Sequence, residues 1–88
     1  MIERVAKIVN SLGMHARPAA QVVRAVAPFK ADVHLQHDGM SVNAKSIMGV
    51  MMLAAECGAE VKVRGEGEDA EAAVTALCDL IARGFGES

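Results

Sequence analysis

Tryptophan and tyrosine are absent from this 88-residue chain, and its only two aromatic rings are Phe29 and Phe85. The core must therefore be built from Val, Ile, Leu and Met, and the aromatic platforms on which single-stranded nucleic acid is stacked are missing. Basic runs are missing too. Nine Lys and Arg against eleven Asp and Glu leave a formal net charge of −2, which gives no general attraction to nucleic acid or anionic lipid. Cysteine is scarce, and Cys57 and Cys78 fit no CxxC pair, zinc-ligand spacing or dense disulfide framework, so both read as free thiols. The longest apolar stretch, Ile47 to Ala55, is about half the length a bilayer-spanning helix needs and is interrupted by Gly49, so no membrane insertion is expected. The opening Met1-Ile2-Glu3-Arg4 lacks the basic start and apolar stretch of a signal peptide, which points to the cytoplasm.

What remains reads as one domain over residues 1–88, with its function on one surface. Ile2, Ala6 and Ile8 give a first strand within 2–9. Asn10-Ser11-Leu12-Gly13 is turn chemistry, and Pro18 suits the first turn of a helix that begins near His15 to Arg17 and runs to about Ala27, before Pro28. Val33 and Leu35 alternate with His34 and Gln36. Asp38-Gly39 then supplies a hairpin turn into Met40-Ser41-Val42-Asn43, so strands two and three pair antiparallel. Ser46 caps a short helix from Ile47 to about Leu53, ended by Cys57-Gly58. Val61 and Val63 mark a fourth strand, closed by Gly65 and Gly67. Asp69 caps a last helix that buries Val74, Leu77, Cys78 and Ile81 and is stopped by Gly84 and Gly86. This order describes an α+β open-faced sandwich, a four-stranded antiparallel sheet with three helices on one face.

One segment carries chemistry. In Gly13-Met14-His15-Ala16-Arg17-Pro18-Ala19-Ala20 an imidazole stands directly before a helix, whose first N–H groups are unpaired and partly positive. An anion is favoured there, and the same field favours the neutral ring, whose free nitrogen is a nucleophile. Arg17 can bring a guanidinium to phosphate oxygens. A histidine before a helix is by itself more simply a capping or solvent-exposed residue.

The full octapeptide resembles the active-site signature of HPr, the histidine-containing carrier family of the bacterial phosphoenolpyruvate-dependent phosphotransferase system, with Met14 where Leu is more usual. Asn43-Ala44-Lys45-Ser46-Ile47-Met48-Gly49-Val50-Met51-Met52-Leu53 is similar to the second HPr signature, and Gly65-Glu66-Gly67-Glu68-Asp69 to the lead-in to the final helix. The resemblance covers essentially the whole chain. It implies a carrier and not an enzyme: enzyme I passes a phosphoryl group to Nδ1 of His15, Arg17 stabilises it, and a IIA-type protein removes it. It implies no cofactor and no metal site, and a presumed monomer.

The resemblance also bears on Ser46, a helix cap on its own terms, whose counterpart in some relatives is phosphorylated by HPr kinase/phosphorylase. Phosphate at a helix start is locally favourable, so capping and modification are compatible. Ile47, Met48, Val50, Met51 and Met52 are too many apolar residues for one side of a two-turn helix. Val50 and Leu53 are expected to pack inward. Ile47, Met48 and Met51, with Ala20 and Arg24 of the preceding helix, are expected to form a partner-binding surface of adaptable apolar contacts with a basic edge. His34 and His37 fall on opposite faces of a strand and do not form a shared metal site. Cys57 and Cys78 read as structural, and the acidic group from Glu66 to Glu71 as the charge a helix start attracts. Two rival readings share the fold: a nitrogen-related paralogue, chemically the same at His15, and a regulatory binding protein controlled at Ser46 that serves no sugar uptake.

Overall fold

Alternating side chains set the sheet. In the computed structural model, which describes residues 1–87, the strands are β1 (Ile2–Lys7), β2 (Asp32–His37), β3 (Met40–Asn43) and β4 (Glu60–Glu66). Val33 and Leu35 of β2 and Val61 and Val63 of β4 point into the core with no exposed surface, while Val5 of β1, on the opposite face, is 61% exposed. The strand order is β1-β4-β2-β3 and every neighbouring pair is antiparallel. Val63 stands opposite Arg4 on one side and Leu35 on the other. Asp38 and Gly39 take φ of 50° and 81°, the left-handed pair that a two-residue hairpin demands, and set His37 opposite Met40.

Three helices cover the other face: α1 (Ala16–Val26), α2 (Ile47–Met52) and α3 (Ala70–Ala82), followed by a 3₁₀ turn over Gly84–Gly86. Helix α3 lies across β1, β4 and β2, and α1 packs against both α3 and α2. Ala19, Val22 and Val26 are the buried stripe of α1, and Ala73, Val74, Leu77 and Ile81 that of α3. In α2 only Val50 is buried, a contribution of roughly 1.5–2 kcal/mol. It is therefore the least anchored helix.

The sandwich and its element order are those expected, with three local corrections. Strand β1 stops at Lys7, two residues early, although Ile8 stays bonded to the segment that leads into β4, through Ala59 and Gly58. Helix α2 ends at Met52, with Leu53 as its cap, and not at Cys57-Gly58. Ala54 adopts φ 53°, which turns the chain so that the Ala55 carbonyl meets the Met14 N–H at 2.8 Å, and Cys57 lies exposed in the turn before β4. Asp69 does occupy the position before α3, but its carboxylate caps no N–H of that helix. It accepts instead from the N–H groups of Lys30 and Ala31, at 2.9 and 2.8 Å, and so ties the start of α3 to the entry of β2.

Candidate functional site

The loop from β1 to α1 is fixed at several points. Asn10, 1% exposed, donates its amide to the Gly13 carbonyl at 2.8 Å. Gly13 has φ 68°, and a Cβ there would lie 2.6 Å from the Ala55 carbonyl oxygen and 3.0 Å from Glu56 Cα, so only glycine fits. Met14 is next, with its side chain in the core, 5% exposed. A backbone held this tightly gives the neighbouring side chain a defined position.

That side chain is His15, the residue before α1, extended at φ −91° and ψ −168°. Its carbonyl accepts the Ala19 N–H at 3.0 Å, as the start of a helix requires, but its side chain makes no capping bond. Pro18 has no N–H to offer, and the N–H groups of Ala16 and Arg17 have no backbone partner among the described residues. The helix therefore begins with two open donors, its positive dipole end and a ring beside them whose side chain is 35% exposed.

A further residue reaches this ring from the far end of the chain. After α3 the residues Gly84, Phe85 and Gly86 all take left-handed φ, of 64°, 59° and 74°. The cost of that conformation at Phe85 is offset by burial of its ring, 4% exposed. The chain is thereby turned back, and Glu87 Oε1 sits 2.9 Å from His15 Nε2 and 2.9 Å from Asn10 Nδ2. The His15 hydrogen bond, then that from Asn10, hold the Glu87 carboxyl below its ordinary value of 4.5, helped by the charge of Arg17 and opposed by partial desolvation. An ionised carboxylate only accepts, so the proton in this contact belongs to Nε2. In the neutral ring Nδ1 then keeps its lone pair.

Ser11, Leu12, His15, Ala16, Arg17 and Glu87 line one shallow depression. His15 and Arg17 are thus brought together as the sequence suggests. Glu87 and Leu12, the latter 74% exposed at the rim, are not found by sequence reasoning. The signal for Glu87 is the Gly84-Phe85-Gly86 triplet, which reads as a helix stop and in fact aims Glu87 back across the fold.

Ser46 heads α2, where its Oγ accepts the Gly49 N–H at 3.1 Å. Ile47, Met48 and Met51 are 44%, 74% and 43% exposed as expected, and Met52, at 65%, extends the patch beyond them. Ala20 is half-buried on α1. Arg24 is exposed, but the groove it lines lies between α1 and α3, with Asp79 and Arg83, and not toward α2. His37 donates through Nδ1 to the Glu60 carbonyl at 3.2 Å, and His34 is exposed on the opposite side of β2. Among the described residues no three His, Cys, Asp or Glu side chains converge as metal ligands, and no helix is long and apolar enough to cross a membrane.

Comparison with known proteins agrees with this fold. Residues 2–83 match the model of the PTS HPr component phosphorylation site. The chain is 45% identical over 87 residues to the phosphocarrier protein HPr of Cupriavidus necator, covering 99% of this chain and 98% of that one. It is 44% identical to the HPr of Treponema pallidum over 99% of each. Among solved structures, an HPr from Thermoanaerobacter tengcongensis superposes with a TM-score of 0.94 at 45% identity, covering 100% of this chain and 99% of that one. The Bacillus subtilis catabolite repression protein Crh superposes with a TM-score of 0.77 at 39% identity, covering 96% of this chain and 97% of that one.

Proposed function

The chain belongs to the HPr family of phosphocarrier proteins, and we propose that it accepts a phosphoryl group from phospho-enzyme I on Nδ1 of His15 and passes it to a IIA-type protein in the cytoplasm. The observation that carries this reading is the uncapped start of α1, where a half-exposed imidazole stands beside the open N–H groups of Ala16 and Arg17. Attack by the Nδ1 lone pair forms the N–P bond as the bond to the donor's leaving atom breaks with its electron pair. The three phosphate oxygens then lie at a helix start with the Arg17 guanidinium in reach. A shallow depression suits a carrier, because both donor and acceptor have to dock over the same ring. Ala20, Ile47, Met48 and Met51 form the apolar part of that docking surface, and Arg17 gives it a basic edge for acidic partners.

Ser46 is the regulatory position in this reading. Its hydroxyl is exposed, and phosphate added there by an HPr kinase/phosphorylase would meet a helix start without unfolding it, while placing negative charge beside the apolar patch. The choice between sugar uptake and a nitrogen-related pathway rests with the IIA protein that receives the phosphoryl group.

The test is incubation of the full chain with phosphoenolpyruvate, magnesium and enzyme I, and intact-mass measurement before and after mild acid. One acid-labile phosphate is expected on the native chain and none on His15→Ala. An unmodified native chain, or equal modification of His15→Ala, overturns the assignment.

A further inference from the structure

Helix α3 is apolar on more than the side it buries. We propose that its outward face is a self-complementary interface, over which a second copy of this chain docks antiparallel to form a transient two-fold dimer. This goes beyond the monomer that the family resemblance implies, and it does not depend on the reading of His15.

Within Ala70–Ala82 the only charged side chains are Glu71 and Asp79. Ala73, Val74, Leu77 and Ile81 make up the buried stripe. On the other side stand Ala72, Thr75 and Ala76, none of them buried, and the Thr75 hydroxyl is already engaged by Arg4 at 3.0 Å. A helix that is apolar all round is expected to be covered on both sides. Here the molecule itself covers only one.

Two shallow depressions flank the outward face and share Ala76 and Asp79, so they run together across the helix. One holds Glu68 and Glu71. The other holds Arg24 and Arg83 beside an apolar lining of Ala25, Phe29 and Leu80. The side chains of Glu68, Glu71 and Arg24 make no hydrogen bond or ion pair among the described residues, and that of Arg83 bonds only to the Asp79 carbonyl of its own helix. The helix dipole explains why each charge sits where it does on its own helix. It does not explain the apolar face between them.

The spacing of the charges selects the occupant. At 1.5 Å per residue, Glu71 lies roughly 8 Å before Ala76, with Glu68 beyond it, and Arg83 lies roughly 10 Å after. A two-fold axis through Ala76 therefore sets Glu68 and Glu71 of one copy against the basic end of the other, and does so twice. A parallel arrangement sets like charge against like. The small side chains at the axis let the two helices approach to about 8 Å. Asp79 stands one turn from the axis, where Arg24 and Arg83 of its own copy line the same depression. Neither His15 nor any residue of α2 lines either depression, so the carrier site stays outside the interface. A contact this shallow belongs to the weak, transient class.

The test is sedimentation equilibrium of the full chain over about 0.01–1 mM, at low salt and at about 0.5 M salt, with ¹⁵N amide shifts followed over the same series. The native chain is expected to dimerise with rising concentration at low salt and to dissociate at high salt, and the concentration-dependent shifts are expected to centre on Ala72 to Leu80. The double variants Arg24→Glu/Arg83→Glu and Glu68→Arg/Glu71→Arg are each expected to lower the association constant about tenfold or more. Mixed in equal amounts they restore association, with shifts again on α3, because each charge faces its opposite across the axis. A native chain that stays monomeric at low salt overturns the proposal. So does a dimer that persists in both variants, or one whose shifts centre on β1 or α2, since it forms through another face. Circular dichroism of each variant separates loss of association from loss of fold, and recovery in the mixture shows that both variants are folded.

Discussion

Two helices in this small molecule begin in opposite ways. At α2 the cap is filled: Ser46 Oγ takes the Gly49 N–H at 3.1 Å, and Gly49 leaves room for it, since a Cβ there would stand 3.2 Å from that oxygen. At α1 the cap is empty: His15 turns its ring away from the helix toward Glu87, and the Ala16 and Arg17 N–H groups are left open. A filled cap stabilises the fold, typically by ~1 kcal/mol. An empty one forgoes that gain and keeps a place for an anion. The compensation for the empty cap is found around it, in the clamp formed by Asn10, Gly13, Met14 and Glu87.

The largest expected effect comes from breaking that clamp. Gly13→Ala forces a Cβ against the Ala55 carbonyl at a left-handed φ, and a loss of about 2–3 kcal/mol is expected by denaturant unfolding. Phosphorylation by enzyme I should slow in the fraction that remains folded. A native midpoint would mean that the loop is not clamped.

At the other helix, Ser46→Ala removes a filled cap and is expected to cost about 1 kcal/mol in the same measurement, with transfer at His15 unchanged. Ser46→Asp keeps a capping oxygen and should hold the native midpoint, yet slow phosphorylation by enzyme I about tenfold through charge at the docking patch. If Ser46→Asp is phosphorylated at the native rate, the α2 patch is not part of the docking surface.

Filling the empty cap inverts the comparison. His15→Ser gives α1 the cap it lacks and is expected to raise stability by about 0.5 kcal/mol, less than a full cap because the Glu87 contact is lost with the ring. A variant no more stable than His15→Ala would show that the open donors at α1 are already satisfied.

The smallest effect is a difference in acid response. Glu87 has its carboxyl held low chiefly by the His15 hydrogen bond, and Asp69 chiefly by the Lys30 N–H, aided by Ala31 and opposed by desolvation. Both values lie below those of the unfolded chain, 4.5 and 3.8, so the folded state binds fewer protons there. Their contribution is complete above those values and is lost as pH falls through the folded ones. On acidification, amide shifts at Asn10, Lys30 and Ala31 should therefore move only below the ordinary carboxyl values, and before those of Gly49, whose serine cap does not titrate. Simultaneous movement of Gly49 would point to global unfolding instead.

Much of the fold is legible in the sequence because its determinants are local. The Val33 and Leu35 alternation, the Asp38-Gly39 turn and the spacing of Ala19, Val22 and Val26 each specify an element without reference to the rest of the chain. Ser46 is legible as a cap for the same reason. The larger misses are contacts between residues distant in sequence. Asp69 looks like a cap because it precedes a helix, but its partners are Lys30 and Ala31 across the fold. The end of α2 is set by the demand of Met14 for the Ala55 carbonyl. Arg24 shares a helix side with Arg17, yet the groove it lines is set by α3. Glu87 carries no motif, and it is brought to His15 by a backbone path with three consecutive left-handed residues, one of them a buried phenylalanine.

The claim that the two helix starts differ in kind is tested most directly by backbone amide shifts of the ¹⁵N-labelled chain before and after phosphorylation with phosphoenolpyruvate and enzyme I. The largest downfield shifts are expected on Ala16 and Arg17, as their open N–H groups take the phosphate oxygens, while Gly49 stays in place. Unmoved Ala16 and Arg17 amides in a phosphorylated chain, or shifts centred on Gly49, would contradict it.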